Sequence, residues 1–224
     1  MIIIPTIFAL NKKDFYVRLN IAVKIAKNIQ IDLMDGKFVE ASSIDLKEIP
    51  NLKSFNNNFE AHLMVENPVK YLSKLKRIGI KKIIFHIESG HTKEIIERIK
   101  KLDMICFLAL NPDTPIEKAL PFLKSIDGVL LMGVYPGKEN QEFIVKVYNK
   151  IKHLREIDKK VFIEIDGGVN KSVALKLNSI GVNAINSGSY IFSSKSPKRI
   201  ISDLRKVLKK SSNHSIKKLP SNSS

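Results

Sequence analysis

A chain of 224 residues, 44% of them hydrophobic and with a mean hydropathy of −0.06, can build one large domain or two small ones around a sizeable core. No uncharged apolar run reaches the roughly 18 residues of a membrane span, and Met1-Ile2-Ile3-Ile4-Pro5 is too short for a signal-peptide core. A cytoplasmic location and no membrane partner are therefore expected. The formal charge of +16, from 38 Lys and Arg against 22 Asp and Glu, is distributed along the whole chain, with a local excess only at Arg205-Lys206, Lys209-Lys210 and Lys217-Lys218. That distribution gives no reason to expect a specific nucleic-acid partner. The single cysteine, Cys106, lies inside the apolar run Met104-Ile105-Cys106-Phe107-Leu108, which excludes an intrachain disulfide and a Cys-based metal site and marks a buried thiol.

Taken in order, Ile2–Ile7 reads as a first strand, and Phe15, Leu19, Ala22, Val23 and Ala26 give a helical period across 14–27. Gln30-Ile31-Asp32-Leu33-Met34 alternates polar and apolar residues as a second strand, closed by Asp35-Gly36. A third strand is expected over 59–65, a helix over 68–78 ended by Gly79, a fourth strand over 82–87 and a helix over 92–102. A fifth strand over 104–110 precedes a short helix over 116–122, a sixth strand over 128–134 and a longer helix over 141–157. The seventh strand is read at 161–165, followed by a helix over 171–180, an eighth strand over 183–186 and a last helix over 197–208. From about Ser211 the sequence is polar and Ser-rich, and a short disordered basic tail over 211–224 is expected. Eight short strands alternating with helices, without an internal linker, predict one α/β domain over 1–210, a closed (β/α)8 TIM barrel whose chemistry collects at the C-terminal strand ends.

Several strands carry polar residues on alternate positions: Gln30 and Asp32, Glu60 and His62, His86 and Glu88, Glu164 and Asp166. On a barrel these groups would line one mouth. Asp32, His62 and Asp166 are the oxygen and imidazole donors that suit a divalent metal. Two carboxylates from different strands also suit inversion of a carbon beside a ketone, one acting as base and its protonated partner as acid. A metal there would stabilise the enediolate between the two steps. Met34, Met64 and Met132 would supply an apolar lining. Glycine turns at Gly137, Gly167-Gly168 and Gly188-Ser189 follow strands six, seven and eight, where barrel backbone amides hold phosphate.

Longer motifs sharpen the reading. Asp32-Leu33-Met34-Asp35-Gly36-Lys37-Phe38-Val39, His62-Leu63-Met64-Val65-Glu66-Asn67-Pro68, Leu110-Asn111-Pro112-Asp113-Thr114-Pro115, Val134-Tyr135-Pro136-Gly137, Glu164-Ile165-Asp166-Gly167-Gly168-Val169-Asn170 and Ser187-Gly188-Ser189-Tyr190-Ile191-Phe192 follow one another across about residues 2–208. In these the chain resembles the ribulose-phosphate 3-epimerase family. The resemblance implies interconversion of D-ribulose 5-phosphate and D-xylulose 5-phosphate, with Asp32 and Asp166 as the acid/base pair. It further implies a divalent cation (Zn, Fe, Mn or Co) on Asp32, His62 and Asp166, a phosphorylated ketose as partner, and a homo-oligomer. Three departures stand out. Gln30 occupies the position of a family histidine ligand and offers a weaker amide donor; Thr6 replaces a serine in the substrate pocket; and Pro136-Gly137-Lys138-Glu139-Asn140 replaces Pro-Gly-Phe-Gly-Gly, bringing Glu139 towards the phosphate with Lys138 as a compensating cation. The altered loop leaves a different ketose phosphate as one alternative. A catalytically weakened, non-enzymatic paralogue is another.

Overall fold

The computed structural model describes residues 1–216, with side chains to Lys209. Its centre is a closed parallel barrel in which eight strands follow one another in sequence order: β1 (Ile2–Ile7), β2 (Asn28–Met34), β3 (Asn58–Met64), β4 (Ile80–His86), β5 (Ile105–Leu110), β6 (Gly128–Met132), β7 (Ile163–Asp166) and β8 (Ala184–Ser187), with β8 pairing back to β1. The outer layer consists of α1 (Lys12–Ile25), α2 (Val69–Ile78), α3 (Thr92–Lys101), α4 (Val147–Ile157), α5 (Lys171–Ser179), a four-residue α6 (Ser189–Phe192) and α7 (Pro197–Ile216). Among the described residues no helix is long and apolar enough to cross a membrane.

Alternation within the strands builds two cores. Ile29, Ile31, Leu33, Ala61, Leu63, Ile83, Phe85 and their counterparts face outward onto the helices and form the larger apolar cluster. Ile84, Phe107, Ala109, Leu130, Met132 and Val134 fill one side of the barrel interior, leaving the other side to polar groups. Helix ends follow local chemistry. Asn11 caps α1 by accepting from the Asp14 N–H at 2.9 Å, Asn170 caps α5 through Val173 N–H at 3.0 Å, and Gly79, at φ 106°, ends α2 in a left-handed turn.

The expected elements are present, one differing in kind and two with strongly shifted edges. The short helix expected over 116–122 is a pair of 3-10 turns, Ile116–Lys118 and Leu120–Ser125. The helix expected from Gln141 starts only at Val147. The last helix continues past Leu208 through residues 211–216; the rest of the tail expected to be disordered lies outside the described residues.

Candidate active site

Strand register brings the site together. Asp32 pairs with His62 across β2 and β3, Met132 with Asp166 across β6 and β7, and Asp166 with Asn186 across β7 and β8. Closure of the barrel through β8 and β1 then brings β7 within side-chain reach of β2 across the interior. The Gln30 amide N–H group spans the gap, donating to Asp32 Oδ1 at 2.9 Å and to Asp166 Oδ2 at 2.6 Å. Its amide oxygen, the atom a metal would need, instead accepts from Asn186 Nδ2. Thr6 Oγ1 stands 3.5 Å from the same Gln30 nitrogen.

His62 enters from β3 with Nδ1 at 3.1 Å from Asp166 Oδ2 and 3.4 Å from Asp32 Oδ1. That nitrogen is buried and has no hydrogen-bond geometry to either carboxylate. One ligand atom from each of Asp32, His62 and Asp166 falls within 4.8 Å of the others. Ligand bonds of roughly 2.0–2.2 Å hold donors within about 4.4 Å of one another, which the 3.1 and 3.4 Å distances from His62 Nδ1 satisfy, so this buried Asp-His-Asp group can hold a divalent ion.

The outer nitrogen of His62 is tied down. His62 Nε2 lies 2.8 Å from His86 Nε2, and His86 Nδ1 lies 3.1 Å from Glu88 Oε2. Glu88 also accepts from Asn111 N–H at 2.9 Å and from the Thr114 hydroxyl. An ionised Glu88 makes His86 Nδ1 the donor, which leaves His86 Nε2 to accept from His62 Nε2–H. The chain of bonds thereby leaves His62 Nδ1 to face the carboxylates.

Electrostatics follow from burial. Desolvation, aided by the like charge of Asp166 and opposed by His62, raises the Asp32 carboxyl to about 6. Desolvation works against protonated His62, but Asp166 and Asp32 outweigh it and carry the imidazole to about 10. Glu88 goes the other way: hydrogen bonds from His86 and its neighbours overcome the cost of burial and hold it at about 2.

Above this floor opens a cavity of about 730 Å³. Thr6, Asp32, His62, Met64, Met132 and Asp166 line its depth, and Gly137, Gly167, Gly168, Gly188 and Ser189 its outer wall. Of the residues singled out from sequence, Gln30 lies beneath the carboxylates and Met34 is buried off the cavity wall.

One expectation is corrected. Glu60 and Glu164 do not reach the mouth; they sit two residues further down β3 and β7, where Lys82 Nζ meets Glu60 Oε2 at 2.5 Å and Glu164 Oε2 at 2.7 Å. A strand rises about 3.3 Å per residue, so two positions put them roughly 6–7 Å below His62 and Asp166. Lys82 was missed, although its phase with Ile84 and His86 on β4 placed it on the inner face. Arg18, too, was missed: its guanidinium, rather than Lys138, forms the bidentate pair with Glu139, while Lys138 reaches Glu40 at 3.9 Å.

Fold and site together define a (β/α)8 barrel with a buried Asp-His-Asp group at the C-terminal mouth. Residues 2–192 match the ribulose-phosphate 3 epimerase family, and the chain belongs to that family of carbohydrate epimerases. It is 35% identical over 193 residues to the cytoplasmic isoform of ribulose-phosphate 3-epimerase of Oryza sativa subsp. japonica, covering 84% of this chain and 85% of the rice protein. It is 33% identical over 187 residues to the ribulose-phosphate 3-epimerase of Schizosaccharomyces pombe, covering 81% and 82%. In fold alone it is similar to 3-hexulose-6-phosphate synthase from Salmonella typhimurium, with TM-score 0.71, 12% identity and coverage of 94% of this chain and 100% of that one.

Proposed function

We propose that the protein interconverts D-ribulose 5-phosphate and D-xylulose 5-phosphate, with Asp32 and Asp166 exchanging the proton on C3 from opposite faces. The observation that carries this reading is the buried Asp32–Asp166 pair, brought from β2 and β7 to one Gln30 amide. Two opposed carboxylates with one raised to about 6 by burial can share a single proton near neutral pH, one ionised and one protonated. The ionised member takes the C3 proton, and the protonated member delivers one to the other face. Gln30 holds both oxygens with a neutral donor and so fixes their separation without competing for the proton. A divalent cation on Asp32, His62 and Asp166 would polarise the adjacent ketone and stabilise charge on its oxygen.

His62 is oriented by His86 and Glu88, and Met64 and Met132 give an apolar wall to the sugar carbons. The glycine turns after β6, β7 and β8 would take the phosphate. Glu139 and Lys138 on the same wall favour a second reading, in which a different ketose phosphate is preferred. Comparing kcat/KM across ketose phosphates separates the two.

The central test measures turnover of ribulose 5-phosphate, with exchange of solvent deuterium at C3, in the presence of zinc, iron, manganese or cobalt. Asp32→Asn and Asp166→Asn are each expected to lower kcat by about 10²–10⁴-fold. Gln30→His is expected to tighten metal binding, because imidazole is the better donor. Unchanged activity in Asp32→Asn would sink the mechanism. An inert parent protein under all four metals would sink the reaction itself.

A further inference from the structure

The phosphate end of the cavity contains an anion of its own. Glu139 lies on the wall with Gly137, Gly167, Gly168, Gly188 and Ser189, and its Oε1 is 3.4 Å from where a Cβ on Gly188 would stand. Backbone amides around a phosphate are neutral donors, so a bare carboxylate among them would repel an incoming dianion at short range. The carboxylate is not bare. Arg18, from the middle of α1, donates from Nη1 to Glu139 Oε1 at 2.8 Å and from Nη2 to Oε2 at 2.9 Å.

The pair is held in place. Arg18 Nε donates to Asp14 Oδ1 at 3.2 Å, and the guanidinium carbon stands 5.6 Å from the centre of the Phe192 ring on α6. Only 16% of the Arg18 side chain and 20% of the Glu139 side chain are exposed, which distinguishes this contact from the open Lys138–Glu40 pair at 75% and 93%. A half-buried, fork-to-fork contact is the geometry in which arginine neutralises a carboxylate most fully, and a lysine cannot reproduce it. Arg18 does not line the cavity; it acts on the cavity through Glu139.

We propose that Arg18 and Glu139 form a specificity-determining ion pair, in which Arg18 cancels the charge of Glu139 so that the phosphate end accepts a dianion. The proposal rests on the phosphate of the proposed substrate lying at this end. Arg18 is a positioning residue here, and its effect should fall on binding rather than on proton transfer.

Inorganic phosphate is the probe, titrated calorimetrically into the full chain alongside turnover assays. Arg18→Gln is expected to weaken phosphate binding by about tenfold or more, because it leaves a partly buried carboxylate unpaired beside the anion. The double variant Arg18→Gln/Glu139→Gln removes both charges and is expected to recover most of the affinity. Glu139→Gln alone should bind phosphate at least as tightly as the parent, and it carries the test if Arg18→Gln does not fold. With substrate, Arg18→Gln should raise KM while largely sparing kcat.

A purely structural role for the pair predicts a lower unfolding midpoint in both Arg18 variants with no recovery of phosphate affinity in the double, and that pattern overturns the proposal. Parent-like phosphate affinity in Arg18→Gln, or no phosphate binding by the parent, also overturns it. The expected phosphate pattern in a protein that does not turn over pentose phosphates supports the ion pair and rejects the reaction.

Discussion

Burying Glu60 and Glu164 inside the barrel costs several kcal/mol per ion unless each meets a cation, and a single Lys82 ammonium serves both. The Lys82 side chain is only 13% exposed, and its ammonium also stands 4.3 Å from the centre of the Phe107 ring. Burial first, and then the like charge of Glu164, push the Glu60 carboxyl well above its usual range, with Lys82 pulling it back. Lys82→Met should therefore leave two carboxylates without a countercharge and destabilise the fold by about 3–5 kcal/mol. Urea unfolding at neutral pH measures this, and a loss within experimental error of zero would contradict it. The sign with pH is fixed by linkage. Removing Lys82 takes away the charge that pulls the Glu60 carboxyl down, so in the variant the folded chain binds more protons once pH exceeds the unfolded carboxylate range, and its stability falls as pH rises. The gap between parent and variant should thus be narrower at mildly acidic pH than at neutral pH. Above this cluster, Asn186 and Gln30 continue the polar column to Asp32 and Asp166. The Asp32 and Asp166 carboxylates therefore rest on hydrogen-bonded groups rather than on the apolar interior.

The segment between β6 and α4 is the element that most separates this chain from its family's motif, and its structure explains why no helix begins at Gln141. The Gln141 side-chain amide closes onto the Tyr135 carbonyl at 2.6 Å and the Lys138 carbonyl at 2.9 Å, and Ile144 N–H donates to the Gly133 carbonyl at 2.8 Å. These bonds draw residues 141–146 across the strand ends, with Phe143 packed on Gly133 and Gly168. Gly168 is at φ +68°, and a Cβ there would meet the Phe143 backbone N and Cα at 2.7 Å. Gly168→Ala should cost about 1–3 kcal/mol in backbone strain and displace the roof, raising KM more than it lowers kcat. Steady-state kinetics beside urea unfolding check both halves, and an alanine variant matching the parent in both would mean the roof is not seated on β7. Apolar runs bounded by turn residues were enough to read the eight strands, and period-two alternation the inward Asp32, His62 and Asp166, because each signal sits within one strand. What escaped was anything decided between elements. The meeting of Glu60 and Glu164 at Lys82 depends on how three strands close into a barrel, and the helix start at Val147 depends on side chains folding back onto a loop. Arg18 on α1 meets a carboxylate 121 positions away, which no local pattern encodes.

At the scale of the whole molecule, the charge of +16 works against compaction, since folding brings like charges closer together than they are in the extended chain. The ion pairs that could offset this on the surface are weak. Lys12–Glu48, Lys37–Glu66, Arg98–Glu94 and Arg199–Asp203 are 3.5–3.8 Å apart, with side chains largely open to water; such pairs contribute about 0–1 kcal/mol each. Arg18–Glu139 and Lys82 with its two glutamates are shielded from solvent and respond little to added electrolyte. Salt therefore screens the net repulsion more than it weakens useful attraction. Sodium chloride raised from about 0.01 M to about 0.15 M shortens the Debye length from about 30 Å to about 8 Å, and the thermal midpoint should rise across that range. For a chain of this size, each kcal/mol of repulsion removed should appear as about 2–4 °C. Chloride is preferable to phosphate or sulfate, because an anion seated beside Gly188 and Ser189 would stabilise by binding and mask the screening. A midpoint that falls with sodium chloride would mean that the surface pairs outweigh the net charge, against the geometry of those contacts.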